Sequence, residues 1–424
     1  MDPSFALETL LTHADLDPEE LGIAPPIHQS VNYSAASMEE FDALNDQPRP
    51  ERYYRRYGNP TQARLERVMA AIEGAESALA TASGMGATTT TLLTLLSAGD
   101  HVVAQESMYG GTLSLLRDTL PRFDITATLI DQSDTAAFEK AITARTKLIM
   151  IETPSNPLLR LTDIDAVAAL ARAHSILTFA DNTVATPVNQ RPLEQGVDLV
   201  MHSVTKAASG HADVQAGVVC GRDELIERIW QAHIQVGSVI SPFDAWLALR
   251  GLRTMSLRVE RQNQCAQAVA EYLALHPAVR VVNYPGLADH PQHDLAKRQM
   301  RGYGSLLSFE LRGGQKAAER LIPSLRIPVR SPSLGGTRST LVRPAAMWSN
   351  ELTAQQLAEA GVPGGLIRFA VGLEHERDLI ADLDRGLATL APAIGGSVAD
   401  ARAPQPGHSP VSVPERGPAA ADCG

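Results

Sequence analysis

Between residues 59 and 251 the apolar positions switch repeatedly between helical spacing and short unbroken runs, the pattern of a parallel sheet wrapped by helices. Apolar runs at 101–104, 125–130, 147–151, 176–180, 197–201 and 216–220 are bounded by Gly, Pro, Asn or Asp and predict strands. Across 63–80, Leu65, Val68, Met69 and Ile72 stand at i, i+3, i+4 and i+7, one face of a helix. A long helix is expected to begin near Pro242 and to continue through Trp246, Leu249, Leu252, Met255 and Val259 into a smaller second domain. That domain resumes strands at 279–282, 306–311 and 366–371. The first fifty or so residues have weak periodicity and several prolines, which suits an arm packed on a neighbouring subunit. From residue 395 onward Pro, Ala, Gly and Ser dominate without an apolar period, which predicts a disordered tail. The expected division is therefore an arm at 1–56, a large domain at 57–250, a small domain at 251–394 and the tail at 395–424.

Composition narrows the function classes. The 424 residues are 44% hydrophobic and 20% charged, ordinary for a globular chain of two or three domains. Lys and Arg total 37 against 48 Asp and Glu, a formal charge of −11, which argues against nucleic acid or an anionic membrane as partner. Three cysteines, Cys220, Cys265 and Cys423, are far apart and odd in number, so neither a disulfide framework nor a Cys-rich metal site is expected. His202, His211 and Cys220 do not match zinc spacings either, and no metal is expected. The start is acidic and lacks an export signal, and no apolar stretch is long enough for a membrane span, so the expected location is the cytoplasm.

Candidate chemistry sits where open α/β sheets collect it, just beyond the strands. Lys206 follows the run ending at Met201, Asp181 follows Ala180, Asn156 follows Glu152, and Tyr109 follows the run 101–104. Ser83-Gly84-Met85-Gly86 opens a helix with Leu92, Leu93 and Leu96 on its apolar face, so its free amides offer an anion site. A dinucleotide fingerprint fails there, because position 89 is threonine and no strong strand signal stands just before it. Each residue alone has a plainer reading as a cap, a turn aromatic or a solvated charge. Together they supply what pyridoxal phosphate needs: a lysine for a Schiff base, a carboxylate for the pyridine nitrogen, an aromatic for the ring face and a phosphate cradle.

The blocks Tyr54-Arg55-Arg56-Tyr57-Gly58-Asn59-Pro60-Thr61, Ser83-Gly84-Met85, Tyr109-Gly110-Gly111, Glu152-Thr153-Pro154-Ser155-Asn156-Pro157, Asp181-Asn182-Thr183, Ser203-Val204-Thr205-Lys206 and Ile367-Arg368-Phe369-Ala370-Val371-Gly372-Leu373-Glu374 occur in one order. In that order the chain resembles the Cys/Met-metabolism pyridoxal 5'-phosphate enzymes, the cystathionine γ-synthase, cystathionine γ-lyase and methionine γ-lyase group, from Thr12 to about Leu387. The resemblance implies an α/β, aspartate-aminotransferase-like fold (fold type I): a mostly parallel seven-stranded sheet with a smaller C-terminal α+β domain. It implies that Lys206 holds the cofactor as an internal aldimine and then moves protons, that Asp181 holds the pyridinium, and that Tyr109 stacks on the ring and serves as an acid or base. It implies a phosphate held by Gly84, Met85, Ser203 and Thr205, with Tyr54 and Arg56 reaching across from a second subunit. The partners implied are an amino-acid substrate and another copy of the chain, at least as a dimer and as a tetramer by family habit. Arg368 would clamp the substrate carboxylate by a fork-to-fork pairing, with Asn156 and Ser339 assisting.

The resemblance breaks at Ser333-Leu334-Gly335-Gly336-Thr337-Arg338-Ser339-Thr340 and Arg343-Pro344-Ala345-Ala346-Met347-Trp348. Arg338 stands where the family carries an acid and Arg343 where it carries a histidine. Two added positive charges and Trp348 suit an anionic, aromatic co-substrate such as a nucleotide; the plainer reading makes both arginines surface ion pairs. The implied reaction is γ-elimination or γ-replacement on a homoserine ester, cystathionine, methionine or S-adenosylmethionine. Its alternatives are transfer of the four-carbon unit of S-adenosylmethionine to an anionic aromatic or nucleotide acceptor and, in another class, a non-catalytic fold relative with a binding role.

Overall fold

The computed structural model describes residues 4–18, 20–348, 355, 357 and 361–390. The expected tail at 395–424, and Cys423 with it, lies outside the described residues. Two sheets organise the chain. The first has seven strands in the order β1-β7-β6-β5-β4-β2-β3. These are β1 (Ser77–Thr81), β2 (His101–Gln105), β3 (Thr126–Ile130), β4 (Thr146–Glu152), β5 (Leu177–Asp181), β6 (Leu199–Ser203) and β7 (Gly217–Gly221). Strands β2 to β6 pair in parallel, while β7 runs antiparallel to both of its neighbours, β6 and β1. The carboxyl ends of β1, β2, β4, β5 and β6 therefore meet at one edge, and β7 presents its first residue, Gly217, to the same edge. Helices at Gly84–Leu95, Ile164–Ala173 and Asp223–Val236 bury Leu92, Val167 and Ile229 in the core, so both faces of the sheet are covered, as continuous apolar strands require.

The helix expected over 63–80 is shorter and starts earlier, at Pro60–Glu73. Asn59 caps it, accepting from the Thr61 amide at 2.9 Å, and Pro60 presets the first turn. Gly74 ends it in a left-handed conformation at φ 71°, so Ala80 belongs not to the helix but to β1. A strand does therefore stand just before Ser83-Gly84, contrary to the sequence reading. The long helix expected from Pro242 is likewise two, Pro242–Leu252 and Met255–Leu275. At the break Arg253 Nη2 donates to both oxygens of buried Asp15, at 2.6 and 2.8 Å, tying the turn to the N-terminal segment.

The second sheet is β10-β11-β12-β9-β8, from β8 (Val279–Asn283), β9 (Leu306–Leu311), β10 (Val329–Arg330), β11 (Thr340–Val342) and β12 (Leu366–Ala370). The sequence reading missed β1, β10 and β11. Helix Met255–Leu275 packs its buried residues Cys265, Val269 and Leu273 against this sheet. No described helix is long and apolar enough to cross a membrane.

Candidate active site

Lys206 lies three residues beyond β6, in a loop that two devices hold still. Arg258, buried on the second long helix, donates to the carbonyls of Ala207 (2.7 Å), Ala208 (3.0 Å) and Gly251 (2.7 Å). Gly335, at φ 74°, brings its loop so close that a Cβ there would sit 2.5 Å from the Ala207 nitrogen. Between these anchors the Lys206 ammonium donates to Ser333 Oγ at 3.0 Å. Burial lowers the lysine's pKa, and the Arg368 guanidinium lowers it further, while Asp181 opposes the shift. The amine thus loses its proton more readily than an ordinary lysine, as a nucleophile needs.

Arg368 is buried in the middle of β12. Its Nη2 donates to the Ser333 carbonyl at 2.8 Å and its Nη1 reaches Asn156 Oδ1 at 3.4 Å, but Nε is buried without a partner. Burial pulls its pKa down to about 10. A buried guanidinium with an orphaned donor and no carboxylate partner among the described residues is poised for an incoming anion.

Asp181 ends β5 beside Glu152, which ends β4 in register with it. Asp181 Oδ1 accepts from the Thr183 amide at 2.9 Å. Burial raises its pKa, while the Thr183 hydrogen bonds, His202 and Lys206 favour the charge. Behind it lies a buried polar chain: His202 Nε2 meets Glu73 Oε1 at 2.5 Å, and Asn182 Nδ2 donates to the same oxygen at 3.0 Å and to the Gln190 carbonyl at 2.9 Å. A Cβ on Gly111 would lie 2.6 Å from the half-exposed Tyr109 ring and 3.2 Å from Met85 Sδ, and one on Gly110 would touch Trp348 Nε1 at 3.3 Å. Tyr109, Met85 and Trp348 thus line one mouth.

At the same edge, Ser83 caps the helix Gly84–Leu95, accepting from the Gly86 amide at 2.9 Å. A side chain at Gly84 would meet Ser203 Cβ at 2.8 Å, and one at Gly217 would meet the Ser83 carbonyl oxygen at 2.3 Å. Two glycines therefore bring the helix's free amides against Ser203, the arrangement that accepts a phosphate. These groups fit pyridoxal phosphate: an amine, a carboxylate on the neighbouring strand, an aromatic ring and an anion cradle.

The remaining expected residues have other surroundings within the single subunit. Ser339 is wholly engaged with Glu374, receiving the Gly372 amide at 2.9 Å and donating to Glu374 Oε2 at 2.7 Å; Ser333, which the sequence reading gave no role, is the serine beside Lys206 and Arg368. Arg343 is paired with Glu319 at 2.8 Å, the plainer of its two readings. Arg338 is exposed. Thr205 Oγ1 exchanges hydrogen bonds with the Ala216 backbone at 3.2 and 3.0 Å, a hold on the lysine loop. Tyr54 and Arg56 stack on each other, 5.4 Å from guanidinium to ring, and Arg56 donates to the Ile234 carbonyl at 2.8 Å. Arg258 could have been found in the sequence, as a charge beside Met255, Val259 and Ala266 on one helix face; Ser333, in an aperiodic loop, carries no such signal.

The model of the Cys/Met metabolism PLP-dependent enzymes matches residues 8–388. The chain belongs to this family. It is accordingly a pyridoxal-phosphate-dependent enzyme, which removes the binding-only alternative. Cystathionine beta-lyase MetC of Bacillus subtilis is 41% identical over 392 residues, 92% of this chain and 98% of that protein. L-methionine gamma-lyase of Pseudomonas putida is 40% identical over 393 residues, again 92% and 98%. The crystal structure of metB from Corynebacterium glutamicum superposes with a TM-score of 0.85 at 36% identity, covering 92% of this chain and all of that one, and carries the family's α/β fold type I.

Proposed function

We propose that the enzyme eliminates or replaces the γ-substituent of an L-amino acid. One observation carries the reading: Ser333 accepts from Lys206 Nζ through its hydroxyl and from Arg368 through its carbonyl, at 3.0 and 2.8 Å. An amino acid whose carboxylate displaces Ser333 from Arg368 brings its Cα against Lys206. Bound pyridoxal phosphate supplies the electron sink for the pair left when Cα is deprotonated. Lys206 would hold the cofactor aldehyde at rest and, during turnover, would take the Cα proton and move protons at Cβ. Asp181 keeps the pyridine nitrogen protonated, Tyr109 covers the ring and donates a proton to the leaving group, and Asn156 steadies the carboxylate with Arg368. Gly84, Met85, Ser203 and Thr205 hold the phosphate.

Tyr54 and Arg56 complete the phosphate site of a second copy. The exposed apolar side chains of the arm, Leu21 (96%) and Ile23 (102%) above all, support a homo-oligomer, since such surface is normally covered. With it goes a division into arm (1–56), large domain (57–250) and small domain (251–394), although Leu7, Leu10 and Leu11 of the arm pack into the core of their own chain and not on a partner; the buried free thiols of Cys220 and Cys265 suit a reducing cytoplasm. Transfer of a four-carbon unit to an aromatic anion retains Trp348 and exposed Arg338 in its favour, but Arg343 is already neutralised by Glu319.

The test is product analysis of the loaded enzyme with methionine, cystathionine, O-succinylhomoserine and S-adenosylmethionine, each with and without a thiol or nucleotide acceptor. The four-carbon 2-oxobutanoate, or a new product joined at Cγ, is expected. Pyruvate alone, the product of β-elimination, would overturn the proposal.

A further inference from the structure

Glu152 is a buried carboxylate, 3% exposed, that the reaction above does not use. Its two oxygens serve two different loops. Oε2 accepts the backbone N–H of Tyr109 at 2.7 Å, and Oε1 accepts that of Asn156 at 3.0 Å. Its own backbone is gripped by Gln105, which accepts from the Glu152 amide at 3.0 Å and donates to the Glu152 carbonyl at 2.7 Å; the same Gln105 oxygen receives Thr162 Oγ1 at 3.1 Å. The carboxylate is therefore fixed to the sheet, and the loops are fixed to the carboxylate. One loop starts the helix Gly110–Ser114 and carries the ring beside Met85; the other carries the amide that meets Arg368.

We infer that Glu152 is a positioning residue whose two oxygens set the Tyr109 ring and the Asn156 amide in one frame, so that cofactor ring and substrate carboxylate are aligned by a single side chain. The inference rests on the roles given above to Tyr109 and Asn156. Burial and the neighbouring Asp181 push the Glu152 carboxyl well above its usual range, while the two amides pull the other way. A second carboxyl beside Asp181 is unfavourable as a charge; the two amide donors, one on each oxygen, oppose that shift and fix the group's position.

The test uses Glu152→Gln. The amide keeps the shape but has one acceptor oxygen, so one loop N–H is left facing an NH2 donor. Amide hydrogen exchange in the apoprotein should speed up at Tyr109 or Asn156 in Glu152→Gln, with the rest of β4 unchanged. In the loaded enzyme the visible circular dichroism of the cofactor should change, or KM should rise, with kcat/KM down about 10- to 100-fold. Parent-like exchange at both amides, with parent-like dichroism and KM, would overturn the inference even if the melting temperature fell. Tyr109→Ala and Asn156→Ala separate the two ideas. If they too behave as the parent, the site assignment fails; if they lose activity and Glu152→Gln does not, only the positioning role fails.

Discussion

Gly217→Ala probes the phosphate cradle from outside. Gly217 opens β7 between Thr81 of β1 and Ser203 of β6. An added methyl would lie 2.3 Å from the Ser83 carbonyl oxygen, 2.6 Å from its carbon and 2.7 Å from Thr81 Oγ1. Reaching an ordinary contact of about 3.5 Å requires the Ser83 peptide to move by about 1 Å. Backbone cannot swing aside as a flexible side chain does, so the cost in stability should be about 1–3 kcal/mol. The same shift carries the amides of Gly84 and Met85 away from a bound phosphate. Losing one charge-assisted hydrogen bond at about 1.5–3 kcal/mol weakens cofactor binding by about 10- to 150-fold. Titrating the apoprotein with pyridoxal phosphate, followed by absorbance, measures this. Gly99→Ala is the control: at φ 88° it strains the backbone with nothing within 4 Å of the new Cβ, so it should lose stability and keep cofactor affinity. If Gly217→Ala is destabilised but binds the cofactor as the parent does, the phosphate does not sit at this helix.

Four further outcomes follow from the geometry. Modification of apoprotein Lys206 by an amine-directed reagent should rise at a lower pH than for an ordinary lysine; Arg368→Leu should move that rise to higher pH and Asp181→Asn to lower pH, and an unmoved profile would separate these charges from the amine. Ser333→Ala should cost about three- to tenfold in kcat/KM, because Arg368 uses the Ser333 carbonyl and only the lysine's acceptor is lost. Arg343→Ala should change activity little and stability by under about 1 kcal/mol, since its partner Glu319 is half exposed; a large rise in KM would return Arg343 to the substrate. Burial holds both His233 and His290 down to about pKa 4 from 6.5. A depressed folded pKa means that stability is complete above pH 6.5 and falls as pH drops toward 4, by up to about 3 kcal/mol for each histidine. His233→Gln should flatten that acid limb in a pH series of urea melts, and an unchanged slope would contradict it.

The central strands were legible because each is a run of apolar residues buried on both faces, and no helix of that length hides so much surface. The first strand was not: Ser77-Ala78-Leu79-Ala80-Thr81 closely follows a helix, and only Gly74, Ala75 and Glu76, the first of them left-handed, separate the two. The break at Arg253 escaped for a related reason, since Leu249, Leu252, Met255 and Val259 continue an apolar face while the partner that holds Arg253 at the break, Asp15, is distant in sequence. Lys206 and Asp181 could be read because polar groups directly beyond buried strands are conspicuous. Ser333 could not, because its role arises only when a loop of the second sheet folds over the first. Glu152 stood in plain view within its block, but what it does depends on two amides, 43 residues before it and 4 after it, that no spacing rule joins.

Borohydride reduction of the cofactor-loaded enzyme, followed by peptide mapping, tests the central claim most directly, because it makes the bond between amine and cofactor permanent. The pyridoxyl mass should appear on Lys206, and Lys206→Ala should carry none. A label on Lys140, Lys297 or another lysine, with Lys206 unmodified, would contradict the account.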